Sequence, residues 1–326
     1  MKVLTGIQPS NILHIGNYFG ALKPAVDLQR EHNLFMMIAD YHAITADIDP
    51  KQLNDNILYI TAAYLAAGID PTKTILFQQS QIPEHGELAW VMQTQMHMGE
   101  ANRMTQFKDK SGGKSDAVSV GLFTYPALMA ADILLYDAEA VPVGQDQKQH
   151  MELTRDLAER FNKKFGDTFA VPEVLIPKQG ARIKALNDPA KKMSKSAPSA
   201  KNYISLMDSA EEIHKKIRSA VTDSEAGITV DDNRPGLKNL LTIYSLVTNE
   251  SPEDIASRYN DKGMGQLKND LAEALTDYLM PLQAEIKGLL ENKDELVEIV
   301  RIGSEAARKL AKDKMKNVRK NIGLSI

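Results

Sequence analysis

The stretch KKMSKS at 191–196 places three lysines and two serines within six residues. Gly180 and Pro189 precede it and Pro198 follows it, and these residue types disfavour regular structure. Ammonium groups and hydroxyls on such a loop suit a transient polyanion, for example a leaving pyrophosphate. A solvated basic loop would have the same composition, so the stretch needs a second signal before it indicates a function.

The second signal is the stretch PSNILHIGN at 9–17, which follows a short apolar run and opens a helical pattern. His14, Gly16 and Asn17 are therefore expected at the start of a helix, where free backbone N–H groups and the helix dipole favour phosphate. Gly16 has no Cβ, so a flat base or ribose can lie against the backbone there. An ordinary capped helix start is the alternative. Together the two stretches resemble the paired signatures of class I aminoacyl-tRNA synthetases, HIGH and KMSKS, with Asn17 in the last place of the first.

Length and composition bound the class of protein. A chain of 326 residues, 43% hydrophobic and 25% charged, is typical of a globular protein, and its length favours two domains. It has no cysteine, which excludes disulfides and thiolate metal sites and fits a reducing compartment. We find no signal-peptide pattern and no apolar run that would span a bilayer, so we expect a cytoplasmic protein with no membrane partner. The net charge is −4, so a nucleic-acid partner requires a local basic patch.

The first half of the chain alternates strand and helix patterns. Val3–Gly6 and Leu34–Ala39 are apolar runs typical of buried parallel strands, a helical pattern from 54 to 67 ends at Gly68, and Thr74–Gln78 predicts a third strand. This rhythm predicts an α/β fold with a Rossmann-like parallel sheet. His42 follows the second strand, at the edge where such sheets bind ligands. His42 either lines a ligand site there or is a structural histidine whose hydrogen bonds are made within the protein.

A helix is predicted from Tyr125 to Tyr136, with proline near its first turn. Asp132 is a lone carboxylate among apolar neighbours and needs a partner if it is buried. Tyr125, Met129 and Asp132 share one face, which suits a ligand with an aromatic body and one N–H or O–H donor. An aspartate paired with a basic side chain elsewhere remains the alternative.

Two further loops carry polar residues. Residues 138–143 predict a strand, and Gly144, Gln145, Asp146 and Gln147 follow it at the ligand-binding edge. The GKS ending at 113–115 lacks the earlier glycine of a phosphate-binding P-loop, so we interpret 107–115 as a lid whose Lys110 reaches a triphosphate.

After Ile183 the pattern is almost wholly helical, which predicts a catalytic domain at 1–185 and, at 186–326, the lysine loop with an all-helical C-terminal domain. Its last helix, at about 294–320, is strongly basic. That helix is either a solvated charged surface or a contact for nucleic-acid phosphates.

Over its whole length the chain resembles the bacterial type of tryptophanyl-tRNA synthetase. The residues that carry this resemblance are the two signatures and residues 6–10, 125–136 and 141–147. The resemblance implies ATP with Mg²⁺, L-tryptophan, tRNA(Trp), a homodimer and an anticodon-recognising helical domain. It implies no resident metal site. Many relatives carry an aromatic residue where this chain has Leu4, so an aliphatic wall replaces a stacking contact here.

Individual roles follow from the same resemblance. It implies that His14, Asn17, Lys192 and Lys195 are catalytic, by holding phosphates and neutralising charge on the leaving pyrophosphate. Tryptophan is expected against Asp132, Tyr125, Met129, Val141, Val143, Gln147, Leu4 and His42. ATP is expected against Gln8, Pro9, Ser10, Gly16, Asn17, Lys110, Gly144, Gln145, Asp146, Ile183, Lys192, Met193, Ser194, Lys195 and Ser196.

The expected reaction needs no protein nucleophile, so catalysis rests on positioning and charge stabilisation. The carboxylate of tryptophan attacks the α-phosphorus of ATP, and the adenylate then reacts with the terminal ribose of tRNA. Asp132 is expected to give selectivity over phenylalanine, and an unpaired partner of this kind is worth roughly 10⁴-fold. Two alternatives remain: a tyrosyl-tRNA synthetase, and a non-catalytic nucleic-acid-binding relative.

Overall fold

The computed structural model describes residues 1–10, 13–46, 48–105, 119–144, 147–175, 183–194 and 199–325. The chain divides into two compact units. Unit 1 consists of Met1–Ser10, Ala25–Lys178 and Asn292–Ile326, and unit 2 of Asn11–Pro24 and Gln179–Glu291. The units do not follow the predicted linear division at residue 185. The reason is that the first signature segment packs within unit 2, whereas the last helix packs within unit 1.

A parallel sheet forms the centre of unit 1, and its order in the described residues is β3-β2-β1-β4-β5. All four neighbouring pairs are parallel. The chain starts in the middle, builds one side and then the other, which is the order of a doubly wound fold. The predicted Rossmann-like sheet is therefore confirmed. The strands are β1 (Lys2–Ile7), β2 (Asn33–Ile38), β3 (Ile75–Gln78), β4 (Ala140–Pro142) and β5 (Glu173–Leu175).

Helices make up most of the remaining described chain. They are α1 (Ile15–Asn17), α2 (Lys23–Glu31), α3 (Asp40–Ala43), α4 (Pro50–Ala66), α5 (Glu84–Gln95), α6 (Met98–Arg103), α7 (Val120–Leu134), α8 (Lys148–Phe165), α9 (Ala210–Arg218), α10 (Pro235–Thr248), α11 (Pro252–Tyr259), α12 (Gly263–Glu291) and α13 (Lys293–Asn321). A π-helical turn at Tyr18–Leu22 joins α1 to α2.

Helix α7 starts earlier than its sequence pattern predicts. Ser119 caps it by accepting a hydrogen bond from the backbone N–H of Leu122, 3.2 Å away, so the helix begins at Val120. Pro126 therefore lies inside the helix, and the predicted position near its first turn was wrong. The long buried face that results carries both Tyr125 and Asp132.

The last helix, α13, packs on the edge strand β3. Its Gly303 lies so close to that strand that an added Cβ would be 1.8 Å from the carbonyl oxygen of Leu76. Beside it, the hydroxyl of Ser304 accepts a hydrogen bond from the backbone N–H of Gln78, at 3.1 Å. The spacing of buried residues along α13 explains why it joins this unit: Leu296, Val300, Ala307, Ala311, Met315 and Val318 all face inward.

Several basic side chains of α13 form ion pairs within unit 1. The Arg319 guanidinium contacts both carboxylate oxygens of Glu87, at 2.7 and 2.5 Å. The Lys314 ammonium lies 2.5 Å from a carboxylate oxygen of Asp137. Some of the basic side chains that suggested phosphate contact therefore form ion pairs that stabilise the packing of α13 in unit 1.

In unit 2, helices α9 to α12 form a bundle in which α9 packs on α12. The Gln283 amide on α12 donates to the carbonyls of Leu206 and Asp208, both at 2.9 Å. The predicted all-helical character of the C-terminal part is therefore confirmed for α9 to α12, whereas α13 belongs to unit 1. Among the described residues, no helix is long and apolar enough to cross a membrane.

Candidate active site

The carboxyl edge of the sheet brings together the predicted apolar wall. The strand order reverses between β1 and β4, and ligands of such sheets bind at this switch point. Leu4 of β1 and Val141 of β4 lie buried in one apolar cluster, and Met129 and Val143 pack against it. Four of the residues predicted to surround tryptophan therefore belong to one continuous core.

Asp132 is the polar centre of this region, and its side chain is almost completely buried. One oxygen, Oδ2, lies 2.7 Å from Nε2 of His42. The other, Oδ1, lies 2.6 Å from Nδ1 of His85 and 2.7 Å from Nε2 of Gln79. A carboxylate offers about four acceptor positions, and the described part of the chain fills three of them, which leaves one on Oδ2. The pairing left open by the sequence therefore exists, with His42, His85 and Gln79 as the partners.

The histidines keep this carboxylate ionised. Burial raises the pKa of Asp132, but His42 and His85 lower it by more, so its pKa lies below the ordinary value. An ionised carboxylate has no proton to donate, so each imidazole nitrogen that faces it carries one. The site thus holds a fixed negative charge inside an apolar wall.

Tyr136 extends the cluster by one more hydrogen bond. Its hydroxyl lies 2.8 Å from Nε2 of His85. Burial and the nearby charges of Asp132 and Glu84 raise the pKa of Tyr136 well above its usual range, so it keeps its proton. A chain therefore runs from the tyrosine hydroxyl through the imidazole to the carboxylate.

Local sequence explains how these groups converge. His42 lies on α3 just after β2, Gln79 comes directly after β3, and His85 is in the first turn of α5. His42 was predicted from its place after a buried strand. Gln79 was not predicted, although it also follows a buried strand, and His85 has no comparable signal in the sequence.

Tyr125 occupies the same helix face as Asp132, as predicted. Its hydroxyl lies 2.5 Å from Nε2 of His150, and its ring meets the His42 ring edge-on at 6.1 Å. His150 is a further buried residue of this region that the sequence analysis did not identify.

The residues predicted around ATP divide between the two units. In unit 1, Gln8 and Ser10 are exposed beyond β1 whereas Pro9 is buried, and Gly144 is exposed beyond β4. Gln147, partly buried, donates its backbone N–H to the Gly144 carbonyl at 2.9 Å and precedes α8. The predictions on Lys110, Gln145, Asp146, Lys195 and Ser196 fall outside the described residues.

In unit 2, the first signature forms a reciprocal cap at the start of α1. The His14 imidazole accepts a hydrogen bond from the Asn17 backbone N–H, and the Asn17 side chain accepts one from the His14 backbone N–H, both at 3.2 Å. A Cβ on Gly16 would come within 2.9 Å of the His14 ring. The predicted helix start is confirmed, and asparagine in the last place closes the cap.

The second signature lies beside the first in the same unit. The Met193 backbone N–H donates to the Ile183 carbonyl at 3.2 Å, and Lys192 bridges to Lys184 in an antiparallel pair. Met193 is buried, and its Cβ would be 3.5 Å from a Cβ placed on Gly16. Lys192 is exposed. Burying the methionine therefore presents the lysine to solvent next to the helix start.

A doubly wound parallel sheet together with an HIGN segment and a KMSKS segment defines a class I aminoacyl-tRNA synthetase. The family model described as tRNA synthetases class I (W and Y) matches residues 1–280. The chain belongs to this family of tryptophan and tyrosine tRNA synthetases.

Named relatives agree with this assignment. The chain is 51% identical, over 99% of its length and 98% of theirs, to a tryptophan–tRNA ligase of Bacillus anthracis. Its structure matches a tryptophanyl-tRNA synthetase of Mycoplasma pneumoniae with a TM-score of 0.89 and 38% identity, covering 99% of this chain and 98% of that one. A Campylobacter jejuni tryptophanyl-tRNA synthetase complexed with ADP and tryptophan matches with a TM-score of 0.85 and 40% identity, covering 99% and 100%.

Proposed function

We propose that this protein is a tryptophan–tRNA ligase. A carboxylate oxygen of L-tryptophan attacks the α-phosphorus of ATP, the bond to the bridging oxygen breaks, and pyrophosphate leaves. A hydroxyl of the terminal ribose of tRNA(Trp) then attacks the carbonyl carbon of the adenylate and releases AMP. The observation that carries the proposal is the buried Asp132 carboxylate beside an apolar wall, on which the described residues fill three of about four acceptor positions.

The amino-acid side of the site belongs to unit 1. The free position on Oδ2 of Asp132 accepts the indole N–H, and Leu4, Met129, Val141 and Val143 contact the indole faces. Aliphatic side chains bury an aromatic ring as effectively per unit area as aromatic ones do. Tyr125, His42 and Gln147 complete the set of proposed tryptophan contacts.

Selectivity over phenylalanine rests on the indole N–H. Phenylalanine offers no donor to Oδ2, but three resident donors already support the Asp132 carboxylate. Leaving this position empty therefore costs less than leaving a carboxylate wholly unpaired. We expect this bond to contribute roughly 10- to 100-fold, the worth of one hydrogen bond to a charged group.

The phosphate-handling groups belong to unit 2. His14, Gly16 and Asn17 present a helix start to the phosphates, and Lys192, with Lys195, neutralises charge that grows on the pyrophosphate as it leaves. Mg²⁺ is predicted to arrive bound to the phosphates of ATP, as it commonly does in nucleotide sites. Among the described residues, no cluster of three or more histidine and acidic side chains could hold a metal.

A homodimer is part of the proposal, and an exposed groove on unit 1 supports it. Trp90 and Met98 are exposed by 68% and 69%, and with His97 and Phe123 they line a groove of about 250 Å³. Exposed aromatic and methionine side chains of this kind are enriched in protein interfaces. We assign this groove to contact with a second copy of the chain. Anticodon reading by the helices of unit 2 and the cytoplasmic location remain predictions.

The test is amino-acid-dependent exchange of pyrophosphate into ATP, run with tryptophan, tyrosine and phenylalanine in parallel, followed by charging of tRNA(Trp). Exchange with tryptophan alone is the expected result. Exchange with tyrosine would keep the chemistry but overturn the pocket, and no exchange by folded protein would favour the non-catalytic relative.

A further inference from the structure

His85 makes contacts that neither the signatures nor the proposed substrate contacts account for. Its side chain is fully buried between Phe77, whose ring stacks on it at 6.0 Å, and Tyr136. Both of its ring nitrogens are engaged, Nδ1 with Asp132 at 2.6 Å and Nε2 with Tyr136 at 2.8 Å. A buried imidazole with two polar partners is held in a single orientation.

The contact with Asp132 decides which atom of the imidazole donates. Asp132 is ionised and can only accept, so Nδ1 of His85 donates to Oδ1. The Tyr136 hydroxyl keeps its proton and lies 2.8 Å from Nε2, so it can donate to that nitrogen or accept from it. With both ring nitrogens engaged, the imidazole is a rigid donor to a single carboxylate oxygen.

The result is an asymmetric carboxylate. Oδ1 receives two donors, from His85 and Gln79, whereas Oδ2 receives one, from His42. Saturating Oδ1 prevents the carboxylate from rotating to offer that oxygen to a ligand. It also leaves the remaining acceptor position at one defined place, on Oδ2.

We propose that His85 is a positioning residue that sets the amino-acid selectivity of this protein by orienting Asp132, with Tyr136 holding the imidazole ring in place. This inference rests on the proposed function, since it concerns the same pocket. His85 itself does not contact tryptophan in this account, and it acts only through the carboxylate.

The test compares two substitutions of His85. His85→Asn keeps an N–H donor at the position of Nδ1, whereas His85→Leu fills the volume without a donor. For His85→Leu we expect the KM for tryptophan in pyrophosphate exchange to rise roughly 10- to 100-fold, with the KM for ATP unchanged. The preference for tryptophan over phenylalanine should fall about tenfold, and His85→Asn should restore both values to within about threefold of the wild type.

Tyr136→Phe keeps the packing and removes one hydroxyl, so it serves if His85→Leu does not fold. We expect it to raise the KM for tryptophan by about two- to fivefold, in the same direction. Equal losses in the leucine and asparagine variants, or an unchanged tryptophan preference in both His85→Leu and Tyr136→Phe, would overturn the proposal. Failure of the wild-type protein to exchange with tryptophan would instead overturn the proposed function.

Discussion

The Asp132 cluster of unit 1 and the paired signature segments of unit 2 use charge in opposite ways. In the first, a carboxylate is buried and surrounded by fixed donors from His42, His85 and Gln79. In the second, Lys192 is exposed, and the segment is positioned by its backbone and by the buried Met193.

This difference matches two tasks. Recognition of one N–H requires an acceptor whose position does not change, which a buried hydrogen-bonded network supplies. Neutralising a departing polyanion requires a positive charge that solvent and substrate can reach, which an exposed lysine supplies. Substitutions should therefore change amino-acid selectivity in unit 1 and the rate of activation in unit 2.

Asp132→Asn should have the largest effect. It removes the charge that two histidines face and places an N–H group against one of their donors, so kcat/KM for tryptophan should fall by roughly 10³-fold or more. The KM for ATP should change little. Pyrophosphate exchange measures both constants, and unchanged selectivity for tryptophan in Asp132→Asn, or in Asp132→Ala, would contradict the role of this carboxylate.

Lys192→Ala should lower kcat for activation by roughly 10²-fold, with little change in the KM for tryptophan. The reason is that the lost charge stabilises the leaving pyrophosphate and not the bound amino acid. Lys195→Ala should behave in the same way. Lys191→Ala is the matched control, because Lys191 is a neighbouring exposed lysine that pairs with Asp188 at 2.8 Å.

Single-turnover formation of the adenylate gives the rate for each lysine variant. A near-normal rate in Lys192→Ala, or an equal loss in the Lys191→Ala control, would show that the segment supplies only general positive charge.

Gly303→Ala should destabilise unit 1, because its Cβ would overlap the Leu76 carbonyl oxygen at 1.8 Å. Overpacking of this kind costs about 1–3 kcal/mol of unfolding free energy. Gly288→Ala is the control, since a Cβ at that helical position meets no atom within 4 Å and should stabilise the protein. Thermal and urea unfolding compare the two, and equal stability would contradict the close packing of α13 on β3.

The smallest effect is a pH dependence. The pKa of Asp132 in the folded protein lies below the ordinary value of 3.8. Its ionised form therefore stabilises the fold fully above about pH 3.8, and this contribution is lost as the pH falls through the lower folded-state value. The stability difference between wild type and Asp132→Asn should shrink as urea unfolding is moved from pH 6 towards about pH 3. A difference independent of pH would contradict ionisation of the carboxylate.

The sheet was predictable because its central strands are continuous apolar runs, such as Leu34–Ala39, separated by capped helices. The position of α13 in the fold could not be predicted. Its spacing shows that one face is apolar, but spacing alone does not show what that face packs on. The required closeness of Gly303 to β3 also depends on a contact more than 200 residues away in sequence.

The candidate site was predictable where a residue had a local signal. Asp132 stands alone in an apolar helix, and His42 follows a buried strand, so both were identified. His85 was not, because its importance comes from contacts with Asp132 and Tyr136 that lie 47 and 51 residues away along the chain. Long-range partners of a buried charge can be assigned only when the folded positions are known.

The most direct test of this division of tasks is the ratio of kcat/KM for tryptophan to kcat/KM for phenylalanine, measured in Asp132→Asn and in Lys192→Ala. The account predicts that the ratio falls at least tenfold in Asp132→Asn and stays within about twofold of the wild type in Lys192→Ala, although both lose activity. A similar fall in both variants, or a preserved ratio in Asp132→Asn, would contradict it.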